Sequence, residues 1–421
     1  MKNAIVAPLL GACLLVAMTP VAATQADAGL RLEQVVGRVL ARNPQLQQFD
    51  TEARAAGARV RQAGQGTPYR LGLELENILG TGPFEGMDTP EATLSLSRVL
   101  ETGGKPGHRA ELARSRLGQL RTEQDARRLD VLAAAARQFV RVVGLQQQVG
   151  LARDELELVR ANRESVRRRV EAGRSPDADL ARADIAVDRT ELALAQAHSE
   201  LDSARLGLAV HWAATTPDFN RAEADLFRLP GVEPFDHYAA QLERNPDLAR
   251  FATRARLAEA RQRLAAARAT PDVELGGGLR YLGEGDEAAL LFSARIPLGS
   301  RSRAEPYRAE ADNLALLTPW QREQQRLELH AALYAIHRQL RQARERTLRL
   351  RGEIIPAAER VLDDYSRGYA RGRYSLLDLT QARRTLLELR REALAAATDY
   401  HLSRVELDRL IGVGPDAGVQ P

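Results

Sequence analysis

The residues best suited to chemistry do not form a catalytic motif in this sequence. The segment 103–105 (GGK) looks like the end of a phosphate-binding loop, but Val99 stands where that loop needs its first glycine, and Pro106 replaces its Ser or Thr. The glycines of residues 80–86 (GTGPFEG) have the wrong spacing for a dinucleotide fingerprint. We therefore predict that the protein is not an enzyme and binds no cofactor.

Potential metal ligands are scattered as well. Of the seven histidines, His330 and His337 are two helical turns apart, which is too far for two ligands of one ion, so we interpret them as surface or seam residues. Cys13 is the only cysteine, and it lies in a segment that we expect to be removed. The sequence thus predicts no metal site.

Charged residues alternate with apolar ones in four short stretches, near 69–79, 92–99, 272–282 and 288–297. Period-two alternation predicts strands with one apolar and one polar face. The apolar face would carry Leu71, Leu73, Leu75, Leu279, Tyr281 and Phe292. The polar face would carry Arg70, Glu74, Glu76, Glu274, Arg280 and Arg295.

The predicted strands have a length that suits a membrane. Each is close to the roughly 9–11 residues that a tilted strand needs to cross a bilayer. The leucine-rich apolar face favours a wall that faces lipid, and the charged face would then line a water-filled lumen. Because four strands cannot close a barrel and open edges do not survive in lipid, several chains would have to contribute. A soluble four-stranded sheet packed on helices is the alternative.

The chain contains two copies of one unit. Residues 40–63 align with residues 242–265, and residues 171–183 align with residues 370–382. The predicted organisation is a first repeat at 24–213 (strands near 69–79 and 92–99), a linker at 214–235, a second repeat at 236–412 (strands near 272–282 and 288–297), and a C-terminal tail at 413–421.

Each repeat has the same predicted order of elements: a helix, two strands, a very long helix, a glycine-containing turn and a return helix. Asn-Pro pairs at 43–44 and 245–246 mark the start of the first helix. Apolar residues at heptad spacing, such as Val142, Val149 and Leu156, indicate coiled-coil seams. A helix from 303 to 370 would be roughly 100 Å long, with a kink at Pro356. The predicted fold class is mainly α with transmembrane β.

The N-terminus indicates export. Lys2 precedes a mostly apolar run, and a small-residue cleavage site ends near residue 23, so residues 1–23 are predicted to be a signal peptide. We do not expect lipidation at Cys13, because the apolar run continues past it. The net charge of +4 is a small difference between 60 basic and 56 acidic residues, which does not indicate a nucleic-acid partner.

Two longer segments carry a family resemblance. Residues 369–412 (YARGRYSLLDLTQARRTLLELRREALAAATDYHLSRVELDRLIG), together with the duplicated layout, resemble TolC-type outer-membrane efflux proteins over essentially the whole mature chain. Residues 74–111 are similar to the heavy-metal, CzcC-like branch of that family. The motifs Glu76-Asn77-x-x-Gly80 and Glu101-x-Gly-Gly-Lys105 carry the second resemblance.

The resemblance implies an architecture and a set of partners. Three identical chains would form a twelve-stranded β-barrel in the outer membrane, continuous with a coiled-coil α-barrel in the periplasm. The protein would be a passive export duct for divalent heavy-metal cations, working with a periplasmic adaptor and an inner-membrane pump of the RND type. A multidrug or type I secretion duct is the alternative within the family. A soluble periplasmic coiled-coil scaffold is the alternative from another class.

The resemblance also implies roles at the periplasmic tip, where the turns at Gly173 and Gly372 would lie. Asp378 stands where the family often places an acidic gate residue, and three copies would form a ring that selects cations. A helix cap or a first-turn residue is the alternative interpretation of Asp378, and we favour it for Asp179. The tip arginines, Arg174 and Arg373, would pair with carboxylates across the closed tip or contact solvent.

Overall fold

The computed structural model describes residues 29–78, 81–82, 85 and 89–415. Several predictions lie outside these residues: the signal peptide at 1–23, lipidation of Cys13, Gly80, and the tail beyond residue 415. Within the described residues the chain is mainly helical, as predicted, with a single sheet of four strands.

In the part of the first repeat that the structure describes, four α-helices and two strands form. In chain order they are α1 (Leu32–Arg42), α2 (Pro44–Ala63), β1 (Arg70–Glu76), β2 (Glu91–Leu100), α3 (Lys105–Glu171) and α4 (Asp177–Ala209). The second repeat follows the same order after a short helix: α5 (Phe235–Ala239), α6 (Pro246–Ala267), β3 (Val273–Leu282), β4 (Glu287–Arg295), α7 (Ser300–Arg349), α8 (Ile355–Ala370) and α9 (Leu376–Leu410).

In each repeat, an equivalent asparagine connects the start of an early helix to the end of the return helix. The Asn43 side chain accepts the backbone N–H of Gln45 (2.9 Å) at the start of α2, and its Nδ2 donates to the carbonyl of His211, just beyond α4 (2.8 Å). Asn245, which is fully buried, likewise caps α6 and donates to the carbonyl of Leu410 at the end of α9. The Asn-Pro pair therefore starts a helix and also ties it to the end of the return helix.

The long helix of the second repeat is interrupted. Between α7 and α8, residues Leu350–Ile354 form a π-helical turn, and Pro356 lies in the first turn of α8. Proline has no backbone N–H and its ring crowds the preceding turn, so the wider π turn accommodates it. The predicted continuous helix from 303 to 370 is thus two helices joined at this turn.

The helices pack along apolar seams. The largest fully buried side chains include Phe139, Val142, Leu333, Leu340 and Tyr400. One core cluster combines the first repeat with Leu394 and Val405 of α9, so the return helix of the second repeat completes the core of the first. No helix among the described residues is both long and apolar enough to cross a membrane.

The sheet joins the two hairpins of the repeats. Its strand order is β1-β2-β3-β4, and every neighbouring pair is antiparallel. The hairpins meet through β2 and β3, which leaves β1 and β4 as open edges within the described part of the single chain. Strand β1 ends at Glu76 and is shorter than the stretch 69–79.

Candidate functional site: a two-faced sheet and a helical tip

One face of the sheet is apolar and uncovered. Leu73, Leu94, Leu279 and Leu290 are successive partners across all four strands. The six residues predicted for the apolar face all lie on this side: Leu71, Leu73, Leu75, Leu279, Tyr281 and Phe292. All six are exposed in the single chain, up to 87% for Phe292. A face of this size without a partner needs an apolar environment outside the chain.

The opposite face carries the charges of the strands, apart from Arg98, which lies on the apolar side. The register brings all six predicted polar residues to this side: Arg70, Glu74, Glu76, Glu274, Arg280 and Arg295. Arg280 donates to Glu91 (3.1 Å) and lies 3.3 Å from Glu76. Arg295 donates to Glu274 (2.9 Å). Two of the three glutamates predicted for this face, Glu76 and Glu274, are therefore paired with arginines.

Glu91 belongs to this charged cluster, although its place was not apparent from the sequence. Its carboxylate accepts from Arg280 and from the Asn77 side chain (3.1 Å). Asn77 has a positive φ of 57°, a left-handed conformation that asparagine tolerates better than most residues, and it ends strand β1. The Glu76-Asn77 motif thus terminates a strand and ties it to β2.

The second motif, Glu101-x-Gly-Gly-Lys105, fastens the sheet to the helices. Lys105 donates from Nζ to Asp272 Oδ1 (2.6 Å) and to the carbonyl of Thr270 (2.7 Å), just before β3. The backbone N–H of Thr102 donates to the same Asp272 oxygen (3.0 Å). These bonds join the end of β2 and the start of α3 to the second repeat.

Glycine is required inside this junction. Gly103 has a φ of 64°, and a Cβ there would lie 2.9 Å from Thr270 Oγ1. On the other side, Arg109 forms a bidentate pair with Glu101 and donates to the carbonyl of Gln65 (3.0 Å), beyond α2. The motif that resembles a phosphate loop is therefore a structural junction.

At the far end of the helices, two turns of identical construction connect α3 to α4 and α8 to α9. Gly173 (φ 68°) and Gly372 (φ 72°) are the left-handed residues that close each helix. The next backbone N–H, of Arg174 or Arg373, donates five residues back (2.7 and 2.8 Å). Both turns are Schellman motifs, which glycine favours because it has no side chain to clash.

Both turns lie at the same end of the molecule. Thr380 in α9 contacts Asn162 near the end of α3 through side-chain oxygens 3.3 Å apart, and Arg391 pairs with Glu155 further along. We call this end the tip and define it as residues 168–182 and 371–384. The tip brings together six predicted residues: Gly173, Arg174, Asp179, Gly372, Arg373 and Asp378.

Asp378 makes the contacts of a helix cap. Its carboxylate accepts the backbone N–H of Ser375 (2.9 Å) and the Ser375 hydroxyl (2.7 Å), and its own N–H donates to Ser375 Oγ (3.2 Å). These hydrogen bonds hold the pKa of Asp378 below its usual range. Asp179 lies in the first turn of α4 but makes no side-chain cap bond.

The tip arginines contact solvent in the single chain, and the two histidines of α7 lie in different environments. Arg174 and Arg373 are exposed, and neither makes a side-chain ion pair within the described part of the chain. His337 is buried with Nε2 2.9 Å from the carbonyl of Glu233, and the ring of His330 packs edge-on against Phe235. Among the residues that the structure describes, no group of three His, Asp or Glu side chains could hold a metal ion.

The architecture defines a class of protein: it is the fold of several solved outer-membrane channels. The chain shares a TM-score of 0.74 and 16% identity with CusC, covering 93% of this chain and 96% of that one. It shares a TM-score of 0.68 and 18% identity with VceC of Vibrio cholerae, covering 91% and 96% of the two chains.

The sequence defines the family. The model of the outer membrane efflux protein family matches residues 35–214 and 238–413. The chain belongs to this family, and the resemblance inferred from its motifs is confirmed.

Two relatives of similar sequence are named as heavy-metal resistance proteins. The cobalt-zinc-cadmium resistance protein CzcC of Cupriavidus metallidurans is 26% identical over 327 residues, 77% of this chain and 78% of the relative. The nickel-cobalt-cadmium resistance protein NccC of Alcaligenes xylosoxydans xylosoxydans is 26% identical over 306 residues, 70% of this chain and 67% of the relative.

Proposed function

We propose that this chain is the outer-membrane duct of a tripartite efflux system and that its cargo is divalent heavy-metal cations. The observation that carries the proposal is the two-faced sheet. Its apolar face is exposed on the single chain, whereas its other face carries five carboxylates and three guanidinium groups. Such a sheet is stable with lipid on one side and water on the other.

Closure of the sheet requires further copies of the chain. Strands β1 and β4 have unpaired edges, and lipid leaves no water to satisfy their backbone groups. Three chains of four strands would form a twelve-stranded barrel in which each β1 edge pairs with a neighbouring β4 edge. The helices would extend the barrel into the periplasm, and the tip would meet a periplasmic adaptor loaded by an inner-membrane RND pump.

The metal cargo rests on the relatives, because CzcC and NccC are named for resistance to cobalt, zinc, cadmium and nickel. A duct needs no tight metal site, since a strongly bound ion would not leave. The alternative cargoes are drugs, as in multidrug export, and a secreted protein, as in type I secretion.

A deletion strain tests the proposal. Loss of the gene should raise sensitivity to zinc, cadmium, cobalt or nickel, and the wild-type chain on a plasmid should restore resistance. Sensitivity to detergents and dyes alone, with unchanged metal tolerance, would replace the metal cargo by drugs. A chain that fractionates with soluble periplasmic proteins would support a coiled-coil scaffold instead.

Acidic residues along the lumen would influence the passage of cations. Of the three glutamates predicted for the polar face, Glu74 forms no ion pair among the described residues, so three copies would add negative charge to the lumen. Asp378 would form a second acidic ring at the tip. Its hydrogen bonds to Ser375 and a role in the gate are compatible, because a capping carboxylate keeps its charge.

A further inference from the structure

Charge is distributed unevenly along the chain. The tip segments, 168–182 and 371–384, hold eight arginines and four carboxylates. The whole chain holds 60 basic and 56 acidic residues. The tip therefore accounts for the entire positive excess of the protein, and the remainder of the chain is balanced.

The tip arginines are open to solvent. Seven of the eight are exposed and Arg383 is partly exposed, and none makes a side-chain ion pair within the described residues. Only a turn or two further along the helices the pattern changes. Arg163 pairs with Asp184 (2.7 Å), and Arg367 pairs with Asp364 (2.6 Å). Ion pairs of arginine thus resume within a turn or two of the tip.

The carboxylates of the tip do not offset these charges. Asp177 and Asp179 lie in the first turn of α4, and Asp378 lies in the first turn of α9, where negative charge interacts with the positive end of the helix dipole. Glu171 is 3.6 Å from Arg167. Each carboxylate therefore has a local partner, whereas the tip arginines form no side-chain ion pair within the described part of the chain.

An apolar residue accompanies the arginines. Leu377 is 76% exposed in the first turn of α9. Close to it in the chain, the Tyr374 ring packs on Gly368, where a Cβ would approach the ring to 2.2 Å. The same ring contacts Tyr365 in a tilted arrangement, with the ring centroids 4.6 Å apart. Arginine and aromatic residues around an exposed apolar side chain are typical of a protein interface.

We infer that the tip is a docking surface for a protein partner that presents carboxylate side chains. The inference rests on the proposed function, in which the tip meets an adaptor, and it adds the chemistry of that adaptor. Like charges on one tip repel each other within the screening length of about 10 Å at 0.1 M salt. Three chains assembled around one axis would bring 24 such arginines to one end, and an acidic partner relieves that repulsion.

Binding to two synthetic helical hairpins tests the inference. One hairpin carries glutamates at its turn, and the other carries glutamines at the same positions. The full-length chain, assembled in nanodiscs, should bind the glutamate hairpin at low salt, lose it at high salt, and ignore the glutamine hairpin. Arg174→Gln combined with Arg373→Gln should weaken binding about tenfold, since each tip would lose two exposed charge pairs to its hairpin.

A matched control changes the same charge elsewhere. Arg127 and Arg338 are also exposed and lie in α3 and α7, away from the tip. The double substitution to Gln at these positions should leave binding unchanged. Equal binding of both hairpins, or an equal effect of both double variants, would overturn the inference.

Further outcomes separate this inference from the proposed function. Binding to phosphatidylglycerol vesicles but not to the glutamate hairpin would assign the arginines to lipid and overturn the docking proposal. A chain that conducts ions in a planar bilayer but binds no acidic hairpin would retain its function as a duct and lose only the partner. A chain that neither inserts nor conducts would contradict the duct itself.

Discussion

Leu94→Arg and Ser95→Arg change adjacent residues that point to opposite faces of the sheet. Leu94 lies in β2 between Leu73 and Leu279 on the apolar face. Ser95 lies between two glycines on the charged face, where a longer side chain has room. If lipid covers only the apolar face, the first substitution should block membrane assembly and the second should not.

The magnitude follows from the exposure of Leu94. Its side chain is 49% exposed in the single chain, so lipid would cover about half of a leucine, a contribution of about 1 kcal/mol. An arginine near the bilayer midplane costs about 2–4 kcal/mol. The expected loss is therefore about 3–5 kcal/mol per chain, or about 10²–10⁴ in the folding equilibrium. Ser95→Arg should stay within about 0.5 kcal/mol.

Outer-membrane fractions and trimer stability measure this difference. Leu94→Arg should reduce the amount of heat-resistant trimer in the outer membrane severely, whereas Ser95→Arg should assemble like the wild type. Efficient assembly of both variants would refute a lipid-facing role for the apolar side. Equal failure of both would show that the strand tolerates no long side chain, and the two-faced interpretation would lose its support.

Three further variants probe the junction, the core and the tip. Lys105→Met leaves the carboxylate of Asp272 without its cation and should lower stability by about 1–3 kcal/mol, measured by thermal unfolding of the trimer. Leu333→Ala, at a fully buried position of α7, should cost about 2–5 kcal/mol in the same measurement. Asp378→Asn keeps an acceptor for Ser375 but removes the charge, so it should weaken the block of channel current by cations in a planar bilayer, with little change in stability. If the block is unchanged, the role of Asp378 is that of a helix cap alone. Because the pKa of Asp378 is lowered in the fold, the stability it contributes should persist above about pH 4 and decline as the pH falls further.

The sequence predicted secondary structure correctly where a single physical rule decides it. Alternation with period two assigns neighbouring residues of a strand to opposite faces, and the register of the sheet places Leu73 and Glu74 on opposite faces. The Asn-Pro pairs indicated helix starts because asparagine accepts from free N–H groups and proline needs none. The mainly helical fold followed from the same local signals and is confirmed.

The sequence did not reveal the contacts between distant segments. Arg280 meets Glu76 and Glu91 only because β2 pairs with β3, which joins hairpins almost 200 residues apart. Lys105 meets Asp272 for the same reason. The π turn before Pro356 forms where α7 leads into α8 past a proline. The heptad spacing of apolar residues does not predict such a turn.

The sequence by itself determined the family, the duplication, the two faces of each strand and the excess of arginine near the turns, because all four are properties of residue order. Tertiary structure decided which charges are neutralised. It paired two of the expected lumen carboxylates with arginines, joined Asp378 to Ser375, and left the tip arginines without a side-chain ion pair among the residues that the structure describes. The physical reason is that an ion pair needs two groups within about 4 Å, and only the register of the sheet and the packing of the helices set that distance.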